Sequence, residues 1–162
     1  KENLNAVLDA VAHGLDMLAS SGSADCAAKP LPEKEPLPSL DAWLKEAKAE
    51  AGAAGCGMYL FHNGVVRETA KAAVREGAEN TAPVRGMLFS YDAEKVETAR
   101  KAALAMPGIQ YVRVWLNSGE LKVGDDIMLV LVGGDIRPHV IDALQSLVGE
   151  IKQHCVTESE VY

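Results

Sequence analysis

The chain has 162 residues, of which 48% are hydrophobic, and its formal net charge at pH 7 is -7. A chain of this length can bury one hydrophobic core and carry an appendage, and its acidic balance argues against a nucleic-acid surface, which needs clustered Lys and Arg. No apolar run approaches the length of a membrane span, and Asp and His interrupt the apolar part of the first 18 residues, so we expect a cytoplasmic protein without a signal peptide or membrane segment.

The first 38 residues are predicted to form an extension separate from the main fold. Apolar residues recur at steps of three and four from Leu4 to Leu18, which is typical of an amphipathic helix. The stretch that follows contains Ser, Gly and four prolines, a composition that favours an extended tether. The main domain is therefore expected to span residues 39–162.

A helix, a strand and a loop are predicted at the start of this domain. Ser39 is typical of an N-cap, and the LDAWLKEAKAEA that follows is rich in strong helix formers. Aromatic and β-branched residues in GMYLFHNGVVR favour a strand from about Met58 to Arg67. Residues 68–83 show weak apolar periodicity and several charges, which indicates an irregular loop, and VRGMLFSY then predicts a second strand.

A second helix and a third strand follow in the middle of the domain. Asp92 is expected to cap a helix that runs to about Met106. QYVRVWLN predicts a strand whose alternation gives it two different faces. One face carries Tyr111, Arg113 and Trp115, and the other carries Val112, Val114 and Leu116.

The last third of the chain predicts a turn segment, a central strand and a long helix. SGELKVGDD has the composition of a turn, whereas IMLVLVGG is apolar on both faces, as a strand in the middle of a sheet would be. Asp135 and Pro138 then begin an amphipathic helix that reaches about Ile151. This order of elements predicts an α+β fold with one sheet covered by helices.

The cysteines and histidines do not indicate a disulfide framework or a metal site. Cys26, Cys56 and Cys155 are odd in number and far apart. Cys56 with His62, and His154 with Cys155, do not have a zinc-ligand spacing. We therefore expect neither a bound metal nor a resident cofactor.

Several segments together resemble a known family. GELKVGDDIMLVLVGGDIRPHVIDA, the upstream FHNGVVR, the SYDAEKVETA helix start and the PGIQYVRV strand stand in matching order over about residues 39–154. This set resembles the large, catalytic subunit of molybdopterin synthase, which shows a Phe-x-Gly-x-x-Arg-like strand, then Gly-Glu-Leu-x-x-Gly-Asp, an apolar strand and a helix that opens with His-Arg. The resemblance implies a homodimeric α/β-hammerhead fold with a mixed sheet.

The resemblance also implies a function in molybdenum cofactor biosynthesis. Members of the family take sulfur from a small ubiquitin-like subunit, whose C-terminal Gly-Gly carries a thiocarboxylate, and insert it into a cyclic pyranopterin monophosphate to give molybdopterin. On this basis the chain is predicted to be a sulfurtransferase that works with such a partner. The alternative is a non-catalytic pterin-binding, phosphate-binding or regulatory protein on the same scaffold.

Four residues of this chain match functional positions of the resembled family. The strand arginine falls on Arg67 and its neighbouring phenylalanine on Phe61, and both are expected to bind substrate together with Arg137, the arginine that opens the last helix. The essential lysine late in that helix falls on Lys152, which is expected to be catalytic.

Four family residues are replaced in this chain. Ile136 stands where the family has the histidine before the helix arginine, Ser159 stands near its second lysine, and Leu116-Asn117 replaces a further His-Arg. The first two replacements favour the non-catalytic alternative.

The spacing of Arg137 and Lys152 predicts a site shared between two subunits. The two residues are 15 positions apart, so on one straight helix they lie roughly 22 Å from each other at about 1.5 Å per residue. A small pterin cannot touch both within one subunit. A homodimer with two composite sites across a two-fold axis is therefore expected.

Each cation also has a purely structural interpretation. A lysine in the last turn of a helix interacts favourably with the helix dipole, which would explain Lys152 without catalysis. Arg67 would also fit as an edge charge or as an ion-pair partner of Glu68 or Asp92. Arg137 has the weakest structural explanation, because a cation is unfavourable at a helix N-terminus.

The N-terminal helix suggests one further hypothesis. Its apolar stripe and tether would allow it to dock in a groove on its own or a neighbouring subunit, in the place of the small partner. Deletion of residues 1–36 followed by titration with the small subunit tests this hypothesis, and an unchanged affinity would dismiss it.

Overall fold

A computed structural model describes residues 36–77 and 82–162 of the chain. The predicted N-terminal helix, and the tether as far as residue 35, lie outside the described residues, so the division at residue 38 stays a prediction. The helices are α1 (Leu40–Ala49), α2 (Lys71–Glu76), α3 (Ala93–Leu104) and α4 (Arg137–Glu150), with a 3-10 turn at Ala51–Gly55 and a π-helical turn at Ile151–Cys155. The strands are β1 (Met58–Val65), β2 (Gly86–Tyr91), β3 (Ile109–Leu116), β4 (Gly119–Lys122), β5 (Asp126–Gly134) and β6 (Val156–Val161).

The first sheet has the order β1-β5-β3, and both of its pairings are antiparallel. β5 lies in the centre and is buried from Ile127 to Gly134, as its apolar sequence predicted. Side chains at alternate positions of a strand point to opposite faces, so this sheet has a core on each side. The smaller core contains α1, and the larger core contains α3 and α4.

The smaller core is built on Trp43 of α1, of which only 4% is exposed. Trp43 packs with Trp115 and Leu131 of the sheet, and the Arg113 guanidinium lies 4.6 Å from the centre of its ring. Arg113 also forms an ion pair with Glu46. The two predicted faces of β3 are confirmed, because Tyr111 and Trp115 belong to this core whereas Val112, Val114 and Leu116 belong to the larger one.

The second sheet has the order β4-β2-β6 and is also antiparallel. The α+β class is confirmed, but the strands form two antiparallel sheets rather than one mixed sheet. The difference arises from β4 and β6, whose residue patterns do not predict strands. β4 is four residues long with one buried side chain, Leu121, and β6 carries Glu158 and Glu160. Both segments are strands because they pair with β2, and a local apolar pattern does not encode such long-range pairing.

Two predicted helix caps are confirmed, whereas α4 begins two residues later than predicted. Ser39 Oγ accepts a hydrogen bond from the Ala42 N–H, and Asp92 caps α3 by accepting from two backbone N–H groups. The N-cap of α4 is Ile136, and no side chain caps this helix. Asp135 was expected to begin α4, but its Oδ1 accepts instead from the Ile136 N–H at 2.6 Å and lies 2.8 Å from His139 Nδ1.

The segment predicted as a loop contains the short helix α2, which spans Lys71–Glu76. Ala70, which precedes it, is 1% exposed and anchors this part of the chain in the core. Residues 78–81 of the predicted loop lie outside the described residues.

Candidate functional site

A cavity of about 330 Å³ lies where the end of β1, α2, the π-helical turn and β6 meet. Arg67 and Lys152 both line it, although they are 85 residues apart in the sequence. The structure therefore brings two of the four predicted site residues together within one chain. Met87 and Ile127, both nearly buried, give the cavity an apolar floor.

Positive charge is concentrated at this cavity. Four cationic side chains line it, Arg67, Lys71, Arg75 and Lys152, against the two carboxylates of Glu158 and Glu160. This formal excess of two positive charges stands out in a chain whose net charge is -7. A concave surface with cations and an apolar floor fits an anion that also carries a flat ring.

Arg67 is held in place by backbone hydrogen bonds on both sides. The Val66 N–H donates to the Asp125 carbonyl at 3.0 Å, and the Val84 N–H donates to the Glu68 carbonyl at 2.8 Å. Arg67 Nε donates to the Thr69 carbonyl at 2.9 Å. This last bond uses the Nε–H donor and orients the guanidinium of Arg67, which lines the cavity. Such a planar fork binds phosphate oxygens in pairs.

Lys152 lies on the π-helical turn that follows α4. Ile151 and Cys155 at the two ends of this turn are buried, and Lys152 between them is exposed toward the cavity. The Asp92 N–H donates to the Cys155 carbonyl at 2.8 Å and ties the turn to the start of α3. π-helical turns are rare in proteins overall, but those that occur are often found at functional sites.

His62 lies near Lys152 and was not among the predicted site residues. Burial, and then the positive charge of Lys152, lower the pKa of His62 below its ordinary value of 6.5. Its Nε2 is buried and has no hydrogen-bond partner among the described residues. Burial and the positive charge of Lys152 therefore both disfavour the protonated imidazole.

Phe61 lies on the other side of the sheet from this cavity. It packs in the smaller core with Trp43 of α1, whereas its neighbour Leu60 packs against the larger core. The family pattern contained the signal for this. In Phe-x-Gly-x-x-Arg the aromatic residue stands two positions before the glycine, which in this chain is position 62 when Gly64 and Arg67 are matched.

Arg137 is the first residue of α4 and does not line the cavity that contains Lys152. It lies at the opposite end of a 14-residue helix. Close to it, the side chains of Asp135 and His139 lie 2.8 Å apart directly over Gly108, whose φ of 77° is in the left-handed region. A Cβ at Gly108 would collide with both of these side chains. The hydrogen bond from His139, and then that from the Ile136 N–H, lower the pKa of Asp135.

A larger groove of about 610 Å³ lies between α3 and α4. Its floor is formed by small and apolar residues such as Ala99, Ala103 and Leu147. None of the four predicted site residues borders it. We therefore take the smaller, cationic cavity as the candidate site.

Neither metal ligation nor membrane insertion is indicated by residues 36–77 and 82–162. They contain no group of three or more His, Cys, Asp or Glu side chains placed to hold a metal ion. In the same part of the chain, no helix is both long enough and apolar enough to cross a membrane.

The sequence model of the MoaE protein family matches residues 38–154. The chain belongs to the MoaE protein family. This membership confirms the resemblance to the large subunit of molybdopterin synthase and gives the chain a role in molybdenum cofactor biosynthesis. No curated protein matches the chain.

Solved structures with this MoaE chain's fold share little of its sequence. Molybdopterin synthase from Staphylococcus aureus is 16% identical, with a TM-score of 0.62 over 80% of this chain and 88% of that chain. The MoaE protein from Burkholderia ambifaria is 17% identical, with a TM-score of 0.58 over 78% and 84%. A complex of subunits 1 and 2 of the molybdopterin-converting factor from Helicobacter pylori is 17% identical, with a TM-score of 0.54 over 75% and 74%. At these identities the likeness supports the fold.

Proposed function

We propose that this MoaE protein is the large subunit of a molybdopterin synthase. In this role it transfers sulfur from a thiocarboxylated small subunit to a cyclic pyranopterin monophosphate. The observation that supports this best is the meeting of Arg67 and Lys152 at one cationic cavity. Their separation in the sequence makes a chance meeting a poor explanation.

The two residues have different tasks in this proposal. Arg67, with its guanidinium fixed by Thr69, pairs with phosphate oxygens of the pterin. Lys152 is a compact, mobile ammonium that engages the thiocarboxylate carbonyl or the leaving group. The apolar floor at Met87 and Ile127 contacts the heterocycle.

His62 is proposed as a positioning residue for Lys152. Its imidazole senses the positive charge of Lys152, and its buried Nε2 has no hydrogen-bond partner among the described residues. When Gly64 and Arg67 are matched to Phe-x-Gly-x-x-Arg, His62 stands at the aromatic position of that motif.

Arg137 is proposed to act across a dimer interface. It begins α4 and Lys152 follows the end of that helix, so the two lie about 22 Å apart at about 1.5 Å per residue. A second copy of the chain, related by a two-fold axis, would bring its own Arg137 to the cavity of the first. The site is then complete only in a homodimer.

The partner in this proposal is a small ubiquitin-like subunit whose C-terminal Gly-Gly carries the thiocarboxylate. The Helicobacter pylori structure that shares this fold is a complex of two different subunits, which supports a second protein as the sulfur donor.

A second candidate function is a non-catalytic protein that binds a pterin or phosphate compound through the same cavity. Ser159 favours it, because this residue lines the cavity where the resembled family has a second lysine. Ile136 favours it as well, because it is 52% exposed beside Arg137 and supplies no imidazole.

The deciding experiment mixes the purified protein with thiocarboxylated small subunit and precursor, and measures dithiolene formation. Product that disappears in Lys152→Ala supports the enzyme. Lys45→Ala is a matched control, since Lys45 is an exposed lysine of α1 and does not line the cavity. Absence of product together with measurable precursor binding supports the second candidate.

A further inference from the structure

Helix α2 brings two cations to the cavity that the proposed function does not use. Lys71 and Arg75 are four residues apart, so they lie on the same side of the helix, and both line the cavity. Neither was predicted, because the segment reads as an irregular loop. Lys71 has contacts with β6 that determine its placement.

Glu160 of β6 fixes the beginning of α2 at the cavity. Both of its carboxylate oxygens accept from the backbone N–H of Lys71, at 2.9 and 3.1 Å. Its Oε2 also accepts from the Tyr162 hydroxyl at 2.9 Å. The carboxylate of Glu160 is thus occupied by these donors, and the backbone of Lys71 is held at a defined place beside the cavity.

The side chain of Lys71 is held much less firmly than its backbone. Its Nζ lies 3.6 Å from Glu158 Oε2, which is longer than a hydrogen bond, and the side chain is 48% exposed. An exposed pair of this length contributes little to stability and exchanges easily. Glu158 is less exposed, at 19%, and also lines the cavity, so it keeps the ammonium at the rim.

We propose that Lys71 is an anion-binding residue of this cavity, and that its ammonium moves from Glu158 to the phosphate group of an incoming ligand. Only the identity of that ligand, a pterin monophosphate, rests on the proposed function. Arg67 is already oriented by Thr69, whereas Lys71 supplies a cation that can follow the ligand. Glu158 is a positioning residue in this arrangement.

Titration of the full chain with inorganic phosphate tests the proposal, with chloride at matched ionic strength as the reference. Binding is followed by NMR chemical shifts of the cavity residues. Lys71→Ala is expected to weaken phosphate binding about tenfold, the loss of one charge-assisted contact at a half-exposed position. Lys71→Arg retains binding. The matched control Lys45→Ala removes the same charge from α1, and an affinity for Lys71→Ala equal to that of this control would overturn the proposal.

A double-mutant cycle tests the transfer from Glu158. Glu158→Gln frees the ammonium and is expected to tighten phosphate binding in the wild-type background, with a smaller gain in the Lys71→Ala background. Equal gains in both backgrounds would mean that Glu158 acts only through its charge, which overturns the transfer. Phosphate binding needs neither the small subunit nor sulfur transfer. If the chain binds phosphate through Lys71 but yields no dithiolene, only the proposed function is refuted. If the chain forms dithiolene but Lys71→Ala leaves its phosphate affinity unchanged, only this inference is refuted.

Discussion

Mixing two inactive variants tests whether each site draws residues from two chains. Arg137→Ala and Lys152→Ala are expected to abolish activity when each is prepared alone. If Arg137 serves the cavity of its partner, a heterodimer of the two variants contains one intact site. Its other site carries both substitutions.

The activity that the mixture should recover follows from the geometry of α4 and from the statistics of subunit exchange. Arg137 and Lys152 of one chain are separated by about 22 Å, at about 1.5 Å per residue, so they cannot touch one small ligand. Random exchange of subunits makes half of the dimers heterodimers, and half of the sites in each heterodimer are intact. The mixture should therefore recover about a quarter of wild-type activity in a two-fold symmetric dimer.

A second pair of variants provides the control. Arg67 and Lys152 line the same cavity of one chain. A heterodimer of Arg67→Ala and Lys152→Ala has no intact site, so this mixture should stay at background. The assay is dithiolene formation after unfolding and refolding of the mixed chains, with subunit exchange verified by mass spectrometry. Background activity for the Arg137 mixture, or equal recovery in both mixtures, would refute the composite site.

Three further predictions concern the fold and the surroundings of Lys152. Trp43→Ala should lower the free energy of unfolding by about 3–5 kcal/mol in urea titrations, because Trp43 is 4% exposed at the centre of the smaller core, and a loss under about 1 kcal/mol would contradict this. Gly108→Ala should cost at least about 1–2 kcal/mol in the same titration for its left-handed backbone alone, so a variant as stable as wild type would contradict the geometry. By NMR, the imidazole pKa of His62 should lie below 6.5, and Lys152→Gln should raise it but leave it below 6.5, since burial is the larger cause. As the pH falls, the unfolded chain is protonated at His62 before the folded chain is. The contribution of His62 to stability is therefore complete above about pH 6.5 and is lost as the pH falls toward the pKa of the folded state. If acidification instead stabilised the wild type relative to His62→Gln, this sign would be contradicted.

Most of the first sheet and its helices could be predicted from the sequence because their signals are local. The apolar run of β5 and the caps at Ser39 and Asp92 each act within a few residues. β4, β6 and α2 could not be predicted in this way. β4 and β6 are strands because β2 lies between them, and Glu160 holds the beginning of α2.

The candidate site likewise contains residues that sequence motifs located and residues that they did not. Arg67 and Lys152 were found through family motifs, and the structure places both at one cavity. Phe61 was expected to bind substrate with them, but the structure places it in the smaller core. Neighbouring residues of a strand point to opposite faces, so Phe61 lies across the sheet from the larger core.

The direction of Lys152 depends on packing that helix periodicity does not describe. IKQHC contains no Gly or Pro, so no residue in this segment marks a departure from regular helix geometry. The structure widens this segment into a π-helical turn, in which Cys155 Sγ lies 3.8 Å from the Glu150 carbonyl five residues earlier. The widened turn buries Ile151 and Cys155, and β6 begins directly after it at Val156. Tertiary contacts at the end of α4 thus override the regular helix, and Lys152 and the carboxylates of β6 line one cavity as a result. Rare backbone geometry of this kind is often found at functional sites.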